Sequence, residues 1–293
     1  MTAMTASRVS FSYEFFPPRT PQMEHRLWRA SGQLERLQPV FFSMTYGALG
    51  SAQQGSIDSA LALQRESPVT IAAHLTCADA TAAEVLAVAR KFRDAGIRRL
   101  VALRGDAVSV AGADPVYAFA SAVELVSALR ELDDFDISVA AYPEVHPQAK
   151  SEIADLQHLR RKLDAGAQRA ITQYFFDADC YLRFRDRAAA IGIDKPLVPG
   201  ILPIHNIDRV IAFSQRCGAS VPRHYADRFA RLGANEAARY QLALELAVAL
   251  CERLIDEGVD QIHLYTLNQT DLCLDISLAL GASINTPRIC PAA

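Results

Sequence analysis

Residues 69–104, VTIAAHLTCADATAAEVLAVARKFRDAGIRRLVALR, contain two apolar segments separated by one amphipathic segment. The first segment (69–76) and the last (98–104) are rich in aliphatic and β-branched residues, which favours buried strands. Between them, the apolar residues from Val85 to Phe92 recur at the spacing of one helical face. Gly96 follows this face, where a glycine in the left-handed conformation commonly ends a helix. The stretch therefore predicts a strand, a helix and a second strand parallel to the first.

The same alternation runs through the whole chain. Eight segments have the composition of buried strands: 9–15, 39–45, 69–76, 98–104, 137–142, 169–175, 197–203 and 260–267. A glycine follows the helical pattern before a strand at four places: Gly96, Gly166, Gly192 and Gly258. Eight strand–helix units in 293 residues predict a single (β/α)8 barrel, the TIM-barrel fold. An open doubly wound sheet is the alternative.

One catalytic domain is predicted over residues 1–293, with residues 1–8 expected to form a disordered tail. The last interval between strands, 204–259, is long enough for an additional helix or a lid over the barrel. No linker composition divides the chain.

Composition excludes several classes of protein. The net charge is −3, which argues against a nucleic-acid binder that depends on bulk positive charge. The most apolar stretch, 240–255, is interrupted by charged residues, so no membrane span is expected. None of the six cysteines forms a C-x-x-C pair or a zinc template, which favours reduced thiols in a cytoplasmic protein. A metal site in the protein is not expected.

Polar side chains follow most of the predicted strands, at the end where a (β/α)8 barrel carries its active site. They are Glu14, Thr45, Tyr46, His74, Thr76, Arg104, Asp106, Tyr142, Glu144, His146, Gln173 and residues 265–268. Their convergence at one end of the barrel indicates an enzyme. The glycine-rich dinucleotide fingerprint G-x-G-x-x-G is absent, so the residues alone do not identify a cofactor.

Glu14 is the first candidate acid. It lies between Tyr13 and Phe15 in the sequence, and a carboxyl group among aromatic rings is expected to have a raised pKa. Such a pKa suits a general acid. The alternative is a structural carboxylate paired with Arg19 or another arginine.

Two further patterns have both a functional and a structural interpretation. The first pattern is Arg104-Gly105-Asp106 at the end of a strand. In the functional interpretation, Gly105 lets a ligand approach the backbone; in the structural one, the three residues form a surface turn with an ion pair. Asp155, His158 and Lys162 occupy one helical stripe, which forms either a solvated face or a binding surface.

Nine motifs, in order, resemble those of the methylenetetrahydrofolate reductase family, of the bacterial catalytic-barrel type. They cover roughly residues 9–285. The motifs are Tyr13-Glu-Phe-Phe-Pro-Pro18, Met44-Thr-Tyr-Gly-Ala48, Ala73-His-Leu-Thr-Cys77, Leu103-Arg-Gly-Asp106, Ala140-Ala-Tyr-Pro-Glu-Val-His-Pro147, Lys162-Leu-Asp-Ala-Gly-Ala167, Ile171-Thr-Gln-Tyr-Phe-Phe-Asp177, Pro199-Gly-Ile-Leu-Pro203 and Tyr265-Thr-Leu-Asn268.

The resemblance implies a (β/α)8 barrel with non-covalent FAD bound on the barrel loops. It implies reduction of 5,10-methylenetetrahydrofolate to 5-methyltetrahydrofolate with NADH or NADPH, in one-carbon metabolism and methionine supply. The two substrates would take turns at the flavin in a ping-pong cycle. It also implies a homo-oligomer, a dimer or a tetramer.

Residue roles follow from the matching motifs. Glu14 would be the general acid that opens the five-membered ring, and Asp106 the carboxylate beside flavin and pterin. Gln173, Phe213, Leu267 and Gln269 would contact the exchanged substrates. The matching FAD contacts are Thr45, Tyr46, His74, Leu103, Arg104, Gly105, Asp106, Tyr117, Ala118, Ala140, Tyr142, His146, Asp155, His158 and Lys162.

Three residues depart from the family pattern. Leu49 replaces a usual glycine in the loop after Tyr46, and His158 stands where asparagine is usual. Gln269 replaces an arginine that often follows the Tyr-Thr-Leu-Asn motif, which removes a positive charge near the expected substrate site.

Two other functions would be compatible with such a barrel. One is a flavin enzyme for another substrate, such as a different one-carbon carrier or an amine. The other is a flavin-binding partner subunit without reductase activity. The presence of Glu14, Asp106 and Gln173 together argues against both.

Overall fold

The computed structural model describes residues 9–46, 50–105 and 117–284, without the side chains of residues 50–52. The expected tail (1–8), Leu49 and Asp106 lie outside the described residues. The strands are β1 (Ser10–Phe15), β2 (Phe42–Met44), β3 (Ile71–Thr76), β4 (Arg99–Leu103), β5 (Asp136–Ala141), β6 (Arg169–Thr172), β7 (Leu197–Val198), β8 (Gly200–Ile201) and β9 (Gln261–Tyr265). The helices are α1 (Pro21–Glu35), α2 (Gly50–Glu66), α3 (Ala82–Asp94), α4 (Ala122–Leu132), α5 (Glu152–Asp164), α6 (Ala178–Ala190), α7 (Ile207–Cys217), α8 (Arg223–Arg231), α9 (Glu236–Asp256) and α10 (Asp271–Ala279).

The strands pair in parallel, in the order β7-β6-β5-β4-β3-β2-β1-β9-β8. β7 and β8 are consecutive parts of one extended segment, interrupted at Pro199. The first part pairs with β6 and the second with β9, and the Pro199 carbonyl accepts a hydrogen bond from the His263 N–H (2.9 Å). This segment brings the two ends of the sheet together, so the predicted (β/α)8 barrel is confirmed and the open sheet is not formed.

Alternation along the strands divides the buried residues into two layers. On β1, Tyr13 and Phe15 belong to the large apolar core that includes residues of the surrounding helices. The interior of the barrel holds a smaller apolar cluster: Phe41, Ala72, Val101, Ile171 and Val198. Because successive side chains point to opposite faces of a strand, the residues between the core-facing ones project into the barrel.

The helix ends follow the sequence pattern. Gly96, Gly166, Gly192 and Gly258 all have positive φ, between 84° and 120°, directly after helical residues. Gly166 also approaches Arg130 closely, since a Cβ there would lie 2.7 Å from its Cγ. The predicted interval 204–259 contains α7, α8 and α9, which confirms the expectation of additional helical structure before the last strand. Among the described residues, no helix has the length and apolar character needed to span a membrane.

Replacing Thr81 by alanine is expected to lower the free energy of unfolding by about 1 kcal/mol. Thr81 caps α3: its side chain accepts a hydrogen bond from the Glu84 N–H (3.3 Å), and Glu84 accepts one from the Thr81 N–H (2.8 Å). Urea denaturation would measure the change. Glu84→Gln keeps an acceptor and should lose less; an unchanged denaturation midpoint for Thr81→Ala would contradict a capping role.

Candidate active site

Glu14 lies inside the barrel at the carboxyl end of β1, and only 8% of the residue is exposed. One of its carboxylate oxygens is 3.3 Å from His74 Nε2 and 3.7 Å from His263 Nε2. His74 comes from β3 and His263 from β9, so three strands contribute to this group. The arrangement places one buried carboxylate between two imidazoles.

His263 is a site residue that the sequence analysis did not identify. Its side chain is fully buried, and its Nδ1 is 2.7 Å from the Ser12 hydroxyl, which fixes the ring. The ring also stacks on Phe41, with centroids 5.7 Å apart. A signal was present in the sequence: in β9, Gln261, His263 and Tyr265 alternate with apolar residues and therefore share one face.

The expectation of a raised pKa for Glu14 is wrong. Burial raises the pKa of this carboxyl group, but the interactions with His263 and His74 outweigh burial and lower it to about 2. The error came from treating sequence neighbours as spatial neighbours. Tyr13 and Phe15 face the outer core, and the residues that surround Glu14 come from β3 and β9. No ion pair with Arg19 is formed.

A pocket of about 340 Å³, called here the first pocket, opens beside β4, β5 and α5. Nine of the predicted cofactor residues line it: Leu103, Arg104, Gly105, Ala140, Tyr142, His146, Asp155, His158 and Lys162. Ala102, Ala122, Gln148, Ala149 and Ala154 complete the lining. The polar stripe of α5 is therefore a pocket wall and not merely a solvated helix face.

Lys162 is the buried cation of the first pocket, with 7% of the residue exposed. It donates a hydrogen bond to the Ala140 carbonyl. Burial lowers its pKa to about 8, although the charge of Asp155 acts in the opposite direction. Burial, with the nearby charges of Lys162 and Arg161, also lowers the pKa of His158 to about 4. The His158 imidazole is therefore neutral at neutral pH.

Hydrogen bonds fix the opposite wall of the first pocket. The His146 N–H donates to Asp155 (2.9 Å), and the His146 ring lies 4.5 Å from the Tyr142 ring. Arg104 donates to the Gln148 side chain and stacks over Tyr117 at 5.4 Å. The pocket thus has two cationic side chains on a preformed frame, a donor set suited to an anionic ligand.

Gly105 has a steric reason to be glycine. Its φ is +78°, and a Cβ would lie 2.8 Å from the Thr76 Cβ and 3.1 Å from the Ala78 Cβ. The end of β4 can therefore pass close to β3 only without a side chain at this position.

Of the predicted cofactor residues that the structure describes, five do not line the first pocket: Thr45, Tyr46, His74, Tyr117 and Ala118. His74 belongs to the Glu14 group, and Thr45 follows β2, where its N–H donates to the Phe15 carbonyl (3.0 Å). The Ala118 N–H donates to the Cys77 carbonyl (2.7 Å), which ties this segment to the end of β3. These residues lie at or next to the carboxyl ends of β2 and β3, at the mouth of the barrel.

The predicted substrate residues lie on the other side of the mouth. Gln173 follows β6, and its side-chain oxygen accepts a hydrogen bond from the Tyr174 N–H (3.0 Å). Phe213 projects from α7, is 42% exposed, and stacks on Tyr174 with centroids 6.1 Å apart. An exposed aromatic ring held by a buried one is a suitable surface for a flat ligand.

Leu267 and Gln269 lie in a turn that directly follows β9. Leu267 and Asn268 both have positive φ, +50° and +55°, which is unusual outside glycine. The Asn268 side chain holds this turn through two hydrogen bonds of 2.9 Å, accepting from the Phe16 N–H and donating to the Phe16 carbonyl. A second pocket of about 310 Å³ lies there, lined by Phe16, Met23, Arg26, Leu267, Asn268 and Gln269.

Comparisons with known proteins identify relatives of the whole chain. The chain is 43% identical to the 5,10-methylenetetrahydrofolate reductase of Pectobacterium carotovorum subsp. carotovorum over 281 residues, which are 96% of this chain and 93% of that protein. It is also 43% identical to the Escherichia coli (strain K12) reductase over 279 residues, 95% and 93% of the two chains. Among solved structures, the fold is shared by an uncharacterized protein from Clostridium thermocellum, with a TM-score of 0.62 and 14% identity over 94% of this chain and 95% of that one. That protein binds two copies of 5-methyl-5,6,7,8-tetrahydrofolic acid.

The family assignment does not depend on any single relative. The family model for methylenetetrahydrofolate reductase matches residues 1–281, a range that contains Glu14, both pockets and every strand described above. The chain belongs to the methylenetetrahydrofolate reductase family.

Proposed function

We propose that this protein reduces 5,10-methylenetetrahydrofolate to 5-methyltetrahydrofolate, with FAD as a non-covalent cofactor and NADH or NADPH as electron donor, in a ping-pong cycle. The observation that carries the proposal is the buried Glu14 carboxylate between His74 and His263 at the barrel mouth, in a chain of this family. Similarity to named reductases and to a protein that binds methyltetrahydrofolate supports the folate substrate.

The charged and polar side chains of the first pocket support FAD as its ligand. Arg104 and Lys162 supply positive charge for phosphate groups, and the neutral His158, with Asp155, supplies hydrogen-bonding groups for the adenosine end. When bound, FAD provides a two-electron carrier between the pyridine nucleotide and the folate. The mouth residues Thr45, Tyr46, Tyr117 and Ala118 would border the flavin ring.

Glu14 and its imidazoles would deliver the proton that opens the five-membered ring of the folate. Protonation of the departing ring nitrogen breaks its bond to the methylene carbon and leaves a cationic iminium on the substrate. The Glu14 carboxylate lies 3.3 Å from His74 Nε2 and 3.7 Å from His263 Nε2, close enough for a proton to pass between the carboxyl group and an imidazole. Because the pKa of Glu14 is low in the free protein, the proton would reach the carboxyl group from a neighbouring imidazole, and the carboxylate left after the transfer would stabilise the cation.

The remaining predicted residues would position the substrate. Gln173 would hydrogen-bond the pterin, and Phe213 and Leu267 would pack against whichever substrate occupies the mouth. Asp106, which lies outside the described residues, would add a second carboxylate beside the cation. Since both substrates would use the same surface, they would bind in turn.

An anaerobic titration tests the proposal. The purified protein should be yellow, lose its colour with NADH or NADPH, and regain it on addition of 5,10-methylenetetrahydrofolate. A protein that bleaches but does not reoxidise with folate would be a flavin enzyme for another substrate. A colourless protein, or one that the nucleotides do not bleach, would contradict the proposed reductase activity.

Replacing Lys162 by methionine is expected to weaken flavin binding about tenfold or more. The substitution keeps the buried chain length but removes the charge that faces the first pocket, and a charge-assisted hydrogen bond contributes about 1.5–3 kcal/mol. Equilibrium dialysis of the apoprotein with FAD would measure the affinity. Lys150→Met, at an exposed lysine outside the pocket lining, is the control; equal affinities for both variants would contradict the role of Lys162.

A further inference from the structure

The second pocket contains a cation, Arg26, that has no partner among the residues that the structure describes. Of the six residues that line it, Arg26 is the only charged one, and no carboxylate forms part of the wall. Within the described residues, Arg26 makes no ion pair and no hydrogen bond through its side chain. An arginine at the edge of a pocket, with its guanidinium free, is suited to bind a carboxylate or phosphate in a two-pronged geometry.

The second pocket is lined in part by the segments that directly follow Glu14 and its partner in the sheet. Phe16 follows Glu14 by two residues, and Leu267 follows Tyr265, the residue that pairs with Glu14 in the sheet, by two residues. The Thr266 N–H and hydroxyl both donate to the Glu14 carbonyl, at 3.2 and 2.6 Å. A substrate whose reacting ring lies at Glu14, and whose remaining part runs over the ends of β1 and β9, would reach this pocket.

The walls of the second pocket are fixed and largely apolar. Phe16, Met23 and Leu267 offer an aromatic ring, a thioether and an aliphatic side chain, which suit contact with an aromatic ring. The left-handed turn at Leu267 and Asn268 is held to Phe16 by the two hydrogen bonds of the Asn268 amide. Strain of this kind is retained where the surrounding structure determines the conformation, commonly at ligand sites.

The successive parts of the folate molecule correspond to Glu14, the apolar walls of the second pocket and Arg26. Beyond its pterin, methylenetetrahydrofolate carries an aminobenzoyl ring and then a glutamate with two carboxylates. The apolar walls would receive the benzoyl ring, and Arg26 would meet the glutamate. Gln269, in the same pocket, is uncharged, so Arg26 of α1 is the positive charge that the lining of this pocket offers to a carboxylate.

We propose that Arg26 binds the glutamate carboxylates of the folate in the second pocket and thereby sets the affinity for the glutamate-bearing substrate; this inference rests on the proposed function. The diphosphate of the pyridine nucleotide is the other anion available to the same cation. The test must therefore separate folate binding from nucleotide binding.

Isothermal titration calorimetry of the holoprotein provides the test, with 5-methyltetrahydrofolate, 5-methyltetrahydropteroate (the same molecule without glutamate) and NADH as probes. Arg26→Gln should weaken 5-methyltetrahydrofolate binding about tenfold and leave 5-methyltetrahydropteroate and NADH binding unchanged. Arg26→Gln combined with Gln269→Arg should recover most of the lost affinity. Arg29→Gln, at an exposed arginine of the same helix outside the pocket, should change nothing.

The contrary results are distinct. Unchanged folate affinity in Arg26→Gln, an equal loss with the pteroate, or a loss confined to NADH would each overturn the inference. Failure of Gln269→Arg to restore affinity would overturn the placement of the carboxylates in this pocket, and a wild-type protein that does not bind 5-methyltetrahydrofolate would overturn the whole inference. Calorimetry requires no turnover, so a protein that binds folate through Arg26 but does not reduce it refutes only the proposed function.

Discussion

Glutamine in place of Glu14 should slow the reduction of methylenetetrahydrofolate by about 10²- to 10⁴-fold, the usual contribution of a positioned general acid. The amide keeps the shape of the carboxyl group but has neither its negative charge nor a proton to deliver between His74 and His263. Reduction of the flavin by NADH needs no such proton, so its rate should change by less than about tenfold. Stopped-flow measurement of the two half-reactions separates these effects.

The matched control for this experiment is Glu24→Gln, at an exposed carboxylate on α1. It should leave both half-reactions at their wild-type rates. If Glu14→Gln reduced folate normally, or lost its flavin altogether, Glu14 would be a structural residue. Asp106 would then become the next candidate for the acid.

Alanine in place of Gly200 should destabilise the barrel by about 3 kcal/mol or more, since overpacking of a filled interior typically costs 1–3 kcal/mol. A Cβ at this position would lie 2.2 Å from the Thr172 carbonyl oxygen and 2.6–2.7 Å from Cε2 and the hydroxyl of Tyr265. The same tyrosine donates a hydrogen bond to that carbonyl (2.7 Å), so neither group is free to move away. Chemical denaturation would measure the loss.

Gly32→Ala is the control for the Gly200 experiment. Gly32 lies within α1, and a Cβ there would meet no atom within 4 Å. Alanine should therefore stabilise this helix by roughly 0.5–1 kcal/mol. Equal stabilities of Gly200→Ala and the wild type would show that β8 shifts to accommodate the methyl group.

The fold was predictable from the sequence because its signals are local. Apolar strand segments, amphipathic helices and the glycines that end them each depend on a few neighbouring residues, and all eight predicted strand segments contain strands of the barrel. The segment 197–203 differs in being divided at Pro199, where proline has no N–H to donate to a neighbouring strand. Which residues pair across the sheet could not be deduced from such local patterns.

The site was less predictable because it depends on contacts between distant parts of the chain. Tyr13 and Phe15 flank Glu14 in sequence but lie on the opposite face of β1, and this produced the wrong expectation for the pKa. His263 could have been found from the alternation in β9, but its approach to Glu14 depends on the β1–β9 register. Arg26 lies outside the motifs recognised in the sequence, and its position in the second pocket is what distinguishes it from other exposed arginines.

The pairing of β1 with β9 also has a consequence for synthesis of the chain. Ser12 and His263, joined by a hydrogen bond, are separated by 251 positions. At 5–20 residues per second, a ribosome takes roughly 12 to 50 seconds to make the intervening segment. For that period β1 has an unpaired edge, which is the kind of surface that pairs with other chains. The nascent protein therefore exposes an aggregation-prone strand throughout elongation, and the imidazole partners of Glu14 are complete only when β9 has emerged.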